Sequence, residues 1–301
     1  IRSNTVFNSL LMSVVQLTNS MAEVHEKEKQ PYLNEMLRIC NAMVQLKPDH
    51  YMGFDYRGQT HLAMGDRAKA HRDLMNGIRF YGTHPPEEPD AMAAYMHYRV
   101  ALIEFYGNGD VGKALALLKQ GIDLIGKDRA LAEKDETMTD DHKRSVLEKF
   151  RATRNDLKLF RLDLLLRLPT MTTEQEEEFE RTVKDFPQNT NVQLAFAQKI
   201  QAKRPDDALK IYDRVLAQEA DNLTALFNAG VLFYNRAAEL SAQLTEEQNP
   251  LRSDEALVAE YFRQAVPYFE KAHALGETQS KQILASIGGY LGDTELLKKY
   301  K

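Results

Sequence analysis

Residues 54–77 read FDYRGQTHLAMGDRAKAHRDLMNG, and the fold prediction rests first on the spacing of the small residues in this segment. Phe54 is followed four positions later by Gly58, and a Gly-Asp pair at 65–66 leads to Ala70 and Gly77. Ala70 and Gly77, seven positions apart, share one face of a helix, where their small size lets a second helix approach closely. The stretch therefore predicts a hairpin of two helices over about 51–81.

The same pattern recurs farther along the chain. Gly109-Asp110 is again followed by Ala114 and then by Gly121, at the spacing of the first copy. Two later segments continue the series, Val192 with Ala208 and Tyr212, and Leu226 with Ala229, Gly230 and Phe233. Internal repeats of this length predict stacked units, each of which buries one face against its neighbour.

These residues resemble the tetratricopeptide repeat (TPR), a 34-residue helix–turn–helix unit. Phe54, Gly58, Ala70 and Gly77 stand at the spacing of that family, with His61 in place of its second aromatic residue. The resemblance extends over nearly all 301 residues. The chain is similar to bacterial TPR proteins whose last full hairpin is extended. It implies an all-α fold, an α-solenoid (superhelix) of antiparallel helix hairpins whose first helices line a concave groove.

Two departures from the 34-residue spacing predict insertions. Ala70 and Ala114 are 44 residues apart, and the extra residues fall in a proline-rich loop at 85–89. Ala208 and Ala265 are 57 residues apart, which predicts an insertion at about 238–254. We expect this insertion to lengthen both helices of its hairpin and to add a polar tip.

The repeat register is lost between about 128 and 169. Residues 129–139 are polar and predict a loop, and apolar residues from Val146 to Leu168 predict one long helix that ends before Pro169. Thr173 and Glu176 then predict a capping box at the start of the next helix.

The predicted organisation is six hairpins and a closing helix. The hairpins span about 4–46, 51–81, 90–125, 139–186, 189–219 and 222–275, and the closing helix spans 279–300. We group them as 1–128, three TPR-like hairpins; 129–188, an irregular hairpin with a long helix; and 189–301, TPR-like hairpins with the insertion and the capping helix.

Composition excludes few functions. The formal net charge of −5 gives no global reason to expect nucleic acid, and no apolar run is long enough to span a membrane. The chain begins at Ile1, which either processing or trimming would explain. We expect a soluble protein and leave its location open between the bacterial cytoplasm and the periplasm.

The sequence contains no recognisable catalytic or metal-binding motif. His25-Glu26 begins like a zinc-protease motif, but the second histidine is missing. Cys40 is the single cysteine and lies on an apolar stripe, which favours a structural thiol over a reactive one. We therefore expect no enzyme activity, no cofactor and no metal.

Two charged segments have alternative interpretations. Glutamates between 174 and 180 form either a solvated helix start or an acidic docking patch. A basic stripe follows one helix face at Arg144, Arg151, Arg154, Lys158 and Arg161. A solvated face, or contact with the acidic segment, is favoured for this stripe over nucleic-acid binding, because aromatic residues do not interleave with it in the sequence.

The resemblance places candidate partner-binding residues on the first helix of each hairpin. They mix apolar, aromatic and amide side chains with one arginine, which suits a bound peptide. These groove candidates are Met52, Asp55, Gln59, Leu62, Met96, Arg99, Ile103, Tyr106, Gln193, Ala197, Ile200, Phe227, Val231, Tyr234 and Asn235. For Phe227, Val231 and Met96, packing between repeats is an equal alternative.

One TPR subclass, which grips the acidic tails of heat-shock chaperones, needs a lysine and an asparagine four residues apart on a first helix. The corresponding pairs here are Asp55 and Gln59, Arg99 and Ile103, and Gln193 and Ala197. A heat-shock chaperone tail is therefore not the expected ligand.

The leading functional hypothesis is a non-catalytic scaffold that binds a protein or peptide in the groove. The alternative is a self-assembling or complex-anchoring subunit that uses the apolar helix at 157–168, so a homo-oligomer is possible. Nucleic-acid binding through the stripe at 144–161 is the less favoured third hypothesis.

Overall fold

The computed structural model describes residues 2–246 and 252–301, and helices are the regular secondary structure of this part of the chain. The chain divides into two compact units, residues 1–169 (unit 1) and residues 170–301 (unit 2). Unit 1 holds α1 (Arg2–Ala22), α2 (Gln30–Leu46), α3 (Tyr51–Ala63), α4 (Arg67–Thr83), α5 (Met92–Leu102), α6 (Val111–Lys134) and α7 (Asp140–Leu166). Unit 2 holds α8 (Thr173–Lys184), α9 (Thr190–Ile200), α10 (Pro205–Gln218), α11 (Leu223–Glu246), α12 (Arg252–Ala274), α13 (Gln279–Leu291) and α14 (Thr294–Tyr300).

Within each unit, helices that follow one another in sequence pack against one another. In addition α5 packs against α7 in unit 1, and α9 packs against α11 in unit 2, so alternate helices also touch. This is the all-α fold of stacked, TPR-like hairpins that the sequence predicts. None of the described helices combines the length and the apolar character needed to cross a membrane.

The repeated Gly-Asp pairs form the turns within hairpins. Gly65 and Gly109 have positive φ angles, 82° and 68°, a left-handed conformation that glycine adopts without strain. The carboxylates of Asp66 and Asp110 then accept hydrogen bonds from the backbone N–H groups of Lys69 and Lys113 and cap α4 and α6. Each pair thus ends one helix and starts the next.

The small residues of the repeat lie where helices touch. A Cβ atom at Gly58 would stand 2.7 Å from the side chain of Leu74, and one at Gly77 would stand 2.5 Å from the sulfur of Met96. Gly121 would meet Leu157 in the same way, and Gly230 would meet the ring of Phe269 at 3.0 Å. These contacts confirm that the glycines are sites of close helix approach.

Several local predictions were wrong. Helix α6 continues to Lys134, through the first half of the loop predicted at 129–139, because Ile125, Asp128 and Ala132 extend its buried stripe, and only residues 135–139 connect it to α7. The capping box uses Thr172 and Gln175 in place of Thr173 and Glu176, since α8 begins one residue earlier than expected. The single closing helix predicted at 279–300 is divided into α13 and α14 by Gly292, which has a positive φ of 66°.

The two irregular regions contain long helices. Helix α7 is 27 residues long and ends three residues before Pro169, as the sequence predicts. The boundary between the units falls between α7 and α8, inside the region 129–188. In unit 2 the paired helices α11 and α12 have 24 and 23 residues, whereas the tip predicted between them lies mostly outside the described residues.

Candidate functional site

A chain of polar contacts crosses three first helices of unit 1. The side-chain amide of Gln59 and the guanidinium of Arg99 donate to the carboxylate of Asp55 at 2.8 and 3.0 Å. The Arg99 guanidinium also lies over the ring of Tyr95, 5.6 Å from its centre, and the Tyr95 hydroxyl donates to Asp156 at 3.0 Å. Helices α3, α5 and α7 are therefore joined by one continuous set of interactions.

Asp55 is a buried carboxylate, only 1% exposed. Burial raises the pKa of Asp55 to about 6, although Arg99 and Gln59 oppose that rise. The sequence predicts Asp55 as a groove residue, but its side chain is enclosed and already bonded to Arg99 and Gln59. The Asp55 carboxylate therefore links α3 to α5.

Two more aspartates of unit 1, the half-buried Asp90 and the buried Asp128, accept hydrogen bonds from tyrosines. The hydroxyl of Tyr51 donates to Asp90, and the hydroxyl of Tyr81 donates to Asp128 at 2.9 Å. Burial raises the pKa of both aspartates. Asp90 also accepts the backbone N–H of Met92, so it fixes the end of the proline-rich loop to the start of α5.

An aromatic surface lies at the end of α5, where a π-helical turn spans Ile103–Gly107. We define the aromatic surface by Tyr98, Phe105, Tyr106 and Phe160. The rings of Tyr98, Phe105 and Tyr106 all lie within 6.4 Å of the ring of Phe160 on α7, and those of Tyr106 and Phe160 are parallel to within 6°. Tyr106 remains 64% exposed. Helical turns of this type occur frequently at functional sites.

A cation borders the aromatic surface. The guanidinium of Arg167 lies 5.5 Å from the centre of the Phe105 ring and pairs with Asp163 at 2.9 Å. Arginine and tyrosine are both enriched among the residues that dominate binding energy at protein interfaces. This part of unit 1 therefore combines an open aromatic face with the residue types that interfaces favour.

The remaining groove candidates in unit 1 differ in accessibility. Met96 is completely buried against Gly77 and Ile103 is 6% exposed, so both lie in the core of unit 1. Met52 is half-buried between two clusters of core residues. Gln59, Arg99 and Tyr106 keep accessible atoms, and Tyr106 is the most open of the three.

The candidates in unit 2 pack mainly against their own hairpin. The ring of Phe227 meets Phe269, the ring of Tyr234 meets Phe262, and Val231 packs against the same core cluster. Asn235 is exposed. Gln193, which stands at a chaperone-clamp position, is buried and donates to the backbone carbonyl groups of Val183 and Phe186.

The charged segments are largely engaged within their own units. Arg161, at the end of the basic stripe, is 7% exposed and donates to the backbone carbonyl of Leu115, so its guanidinium faces α6. In the acidic segment Glu176 pairs with Lys203, and Glu180 pairs with Arg204. The Arg161 end of the stripe is therefore turned toward α6, whereas Arg144 and Arg151 are exposed.

Cys40 and His71 are titratable groups of unit 1 that lie outside the polar contacts described above. Cys40 is buried, and burial raises the pKa of its thiol to about 12, which agrees with a structural thiol. His71 pairs with Glu104 at 2.8 Å. Among residues 2–246 and 252–301, no group of three or more His, Cys, Asp or Glu side chains is arranged to hold a metal ion.

No protein-family model and no curated protein matches this chain. Solved structures with similar helical architecture include the assembly chaperone of RpL4, Acl4, which has 11% identity and a TM-score of 0.47 over 95% of this chain and 99% of that chain. The TPR2AB domain of yeast Sti1, solved in complex with pHSP90, has 11% identity and a TM-score of 0.36 over 99% and 98% of the two chains. The P58(IPK) TPR domain has 16% identity and a TM-score of 0.33 over 95% and 98%.

All three TM-scores are below 0.5, so these values describe a general likeness of helical architecture. The TPR-like character of the fold follows from the chain's own repeated hairpins and close glycine contacts.

Proposed function

We propose that this protein is a non-catalytic interaction scaffold and that its unit 1 binds a partner protein through the aromatic surface. The observation that carries the proposal is the position of Tyr106, which is 64% exposed and stacked parallel to Phe160. A large exposed ring on a rigid helical support offers contact area with little side-chain freedom to lose on binding.

The paired aspartates of unit 1 favour a structural over a catalytic role. Asp55, Asp90 and Asp128 are each bonded to an arginine or a tyrosine of unit 1. These bonds cross between helices or between a loop and a helix, and two of them hold α5, which leads into the π-helical turn with Tyr106, against α3. A rigid scaffold lowers the entropic cost of binding a partner.

The nature of the surface favours protein over nucleic acid. Asp156 and Asp163 lie on α7 beside the aromatic rings, and Arg161 points to the carbonyl of Leu115. Self-assembly through residues 157–168 has little support, because Leu157, Leu162, Leu164 and Leu165 are at most 3% exposed.

Site-specific photo-crosslinking tests the proposal. Tyr106 is replaced by p-benzoylphenylalanine, and Tyr290 of unit 2, which is 48% exposed, receives the same replacement as the control. We expect position 106 to crosslink a discrete partner in native extract and position 290 not to crosslink it. Identical products at both positions, or no product at position 106, would contradict the proposal.

A further inference from the structure

A second surface lies in unit 2, between α10 and α12. It is an open groove of about 520 Å³ whose apolar lining comes from Leu216, Ala217, Ala220, Leu226 and Pro267. Ala217, Ala220 and Pro267 are exposed. The groove is therefore an apolar depression that solvent reaches from one side.

Pro267 is an unusual residue for this position. It lies inside α12, sixteenth of 23 residues, where it has no N–H group to offer the carbonyl of Arg263. A proline in a helix interior is destabilising. The ring of Pro267 is exposed, so packing in the core does not offset this loss of stability. Departures of this kind from the local rules of folding are expected at functional sites.

The rim of the groove carries a net negative charge when the ion-pair partner of its lysine is included. Lys271 on the rim is paired with Asp221 at 3.0 Å, so its charge is already compensated. Asp213, also on the rim, accepts a hydrogen bond at 3.0 Å from the neutral hydroxyl of Tyr268. Asp213 is exposed, and its carboxylate remains accessible to a cation from outside.

We infer that this groove binds a short basic and apolar peptide segment of a partner protein. An apolar side chain of the segment lies between Leu216 and Pro267, and a lysine or arginine next to it pairs with Asp213. Apolar contact supplies affinity, and the carboxylate selects against acidic segments. This surface is independent of the aromatic surface of unit 1, so either can fail without the other.

Two labelled peptides with the same apolar residues test the inference by fluorescence anisotropy. One is Gly-Lys-Leu-Phe-Lys-Gly and the other is Gly-Glu-Leu-Phe-Glu-Gly. We expect the lysine peptide to bind at least about tenfold more tightly to the full chain, which corresponds to about 1.4 kcal/mol. Equal affinities, or no binding by the lysine peptide, would overturn the inference.

Variants of the groove separate the site from general attraction of a cationic peptide to an acidic protein. Ala217→Arg fills the groove and brings a guanidinium within reach of Asp213, one helical turn away. Ala238→Arg makes the same change at an exposed position farther along α11 and serves as the matched control.

We expect Ala217→Arg to lower the affinity for the lysine peptide at least about tenfold. We expect Ala238→Arg to change that affinity less than about twofold. Asp213→Asn should reduce the difference in affinity between the lysine peptide and the glutamate peptide. Equal effects of the two arginine variants would overturn the inference, and thermal melting of each variant shows whether it is folded.

Discussion

The guanidinium of Arg99 lies 3.0 Å from the buried carboxylate of Asp55, and this contact joins α5 to α3 across 44 residues of sequence. Asp55 is almost fully enclosed, whereas the Arg99 side chain keeps about a quarter of its surface in solvent. The pair therefore holds the first-helix face of unit 1 together while exposing its cation.

Removing the cation should destabilise unit 1 in a pH-dependent way. In Arg99→Met the Asp55 carboxylate loses its charge partner, and we expect the free energy of unfolding at pH 7 to fall by about 1–3 kcal/mol. The loss should be smaller near pH 4.5, where Asp55 is protonated and needs no counter-charge. Chemical denaturation at both pH values measures this; an equal loss at both would contradict the role assigned to Arg99.

Asp55 should itself make unfolding depend on pH. Burial raises its pKa to about 6 in the folded chain, above about 3.9 in an unfolded one, so the unfolded state loses its proton first as the pH rises. The stability that this group contributes is fully present below about pH 4 and is lost as the pH rises through about 6.

Asp55→Asn removes that contribution to pH dependence. Between pH 4 and pH 7.5 the free energy of unfolding of the original chain should therefore fall by about 3 kcal/mol relative to that of the variant. Asp123→Asn, at an exposed carboxylate paired with Lys119, is the control. Its free energy of unfolding should vary with pH in parallel with that of the original chain. A parallel curve for Asp55→Asn would show that the pKa of Asp55 is not raised in the folded chain.

A bulky side chain at a close helix contact should lower stability. Gly58→Leu forces atoms into the space that Leu74 occupies, at a cost of about 1–3 kcal/mol, or roughly 2–10 °C in melting temperature for a unit of this size. Gly82→Leu makes the same substitution where no atom lies within 4 Å of the added Cβ. Differential scanning calorimetry compares the two variants, and equal melting temperatures would refute this packing.

The thiol of Cys40 should be unreactive in the folded protein. Burial raises its pKa to about 12, so the thiolate that attacks a disulfide reagent is scarce at pH 8. We expect Ellman's reagent to label native protein at least about a hundredfold more slowly than protein unfolded in guanidinium chloride. Rapid labelling of the native chain would mean that the α2 face bearing Cys40 is open.

The features that the sequence predicted well are those set by local spacing. Small residues at helical spacing have few uses on an apolar face other than close helix contact. The contacts at Gly58 and Gly77 could therefore be predicted from the sequence. The turn between α13 and α14 was missed, although Gly292-Asp293 repeats the Gly-Asp signal of residues 65–66. Read as a left-handed glycine followed by a cap, that signal would have divided the closing helix.

The candidate site depended on contacts that no local pattern records. Tyr81 and Asp128 are 47 residues apart, and the ring of Phe160 reaches Tyr106 from a helix outside the repeat register. Met96 stood on the expected face by spacing, yet it fills the space beside Gly77. Only the relative placement of the helices distinguishes such a core residue from an exposed one.

The dissociation constant of the complex with the partner captured through position 106 tests the central claim most directly. It is measured by titration for the original chain, for Tyr106→Ala and for the matched control Tyr290→Ala. If the aromatic surface binds the partner, Tyr106→Ala raises the dissociation constant at least about tenfold, whereas Tyr290→Ala changes it less than about twofold, with melting temperatures preserved. Equal dissociation constants for the original chain and Tyr106→Ala would contradict the account.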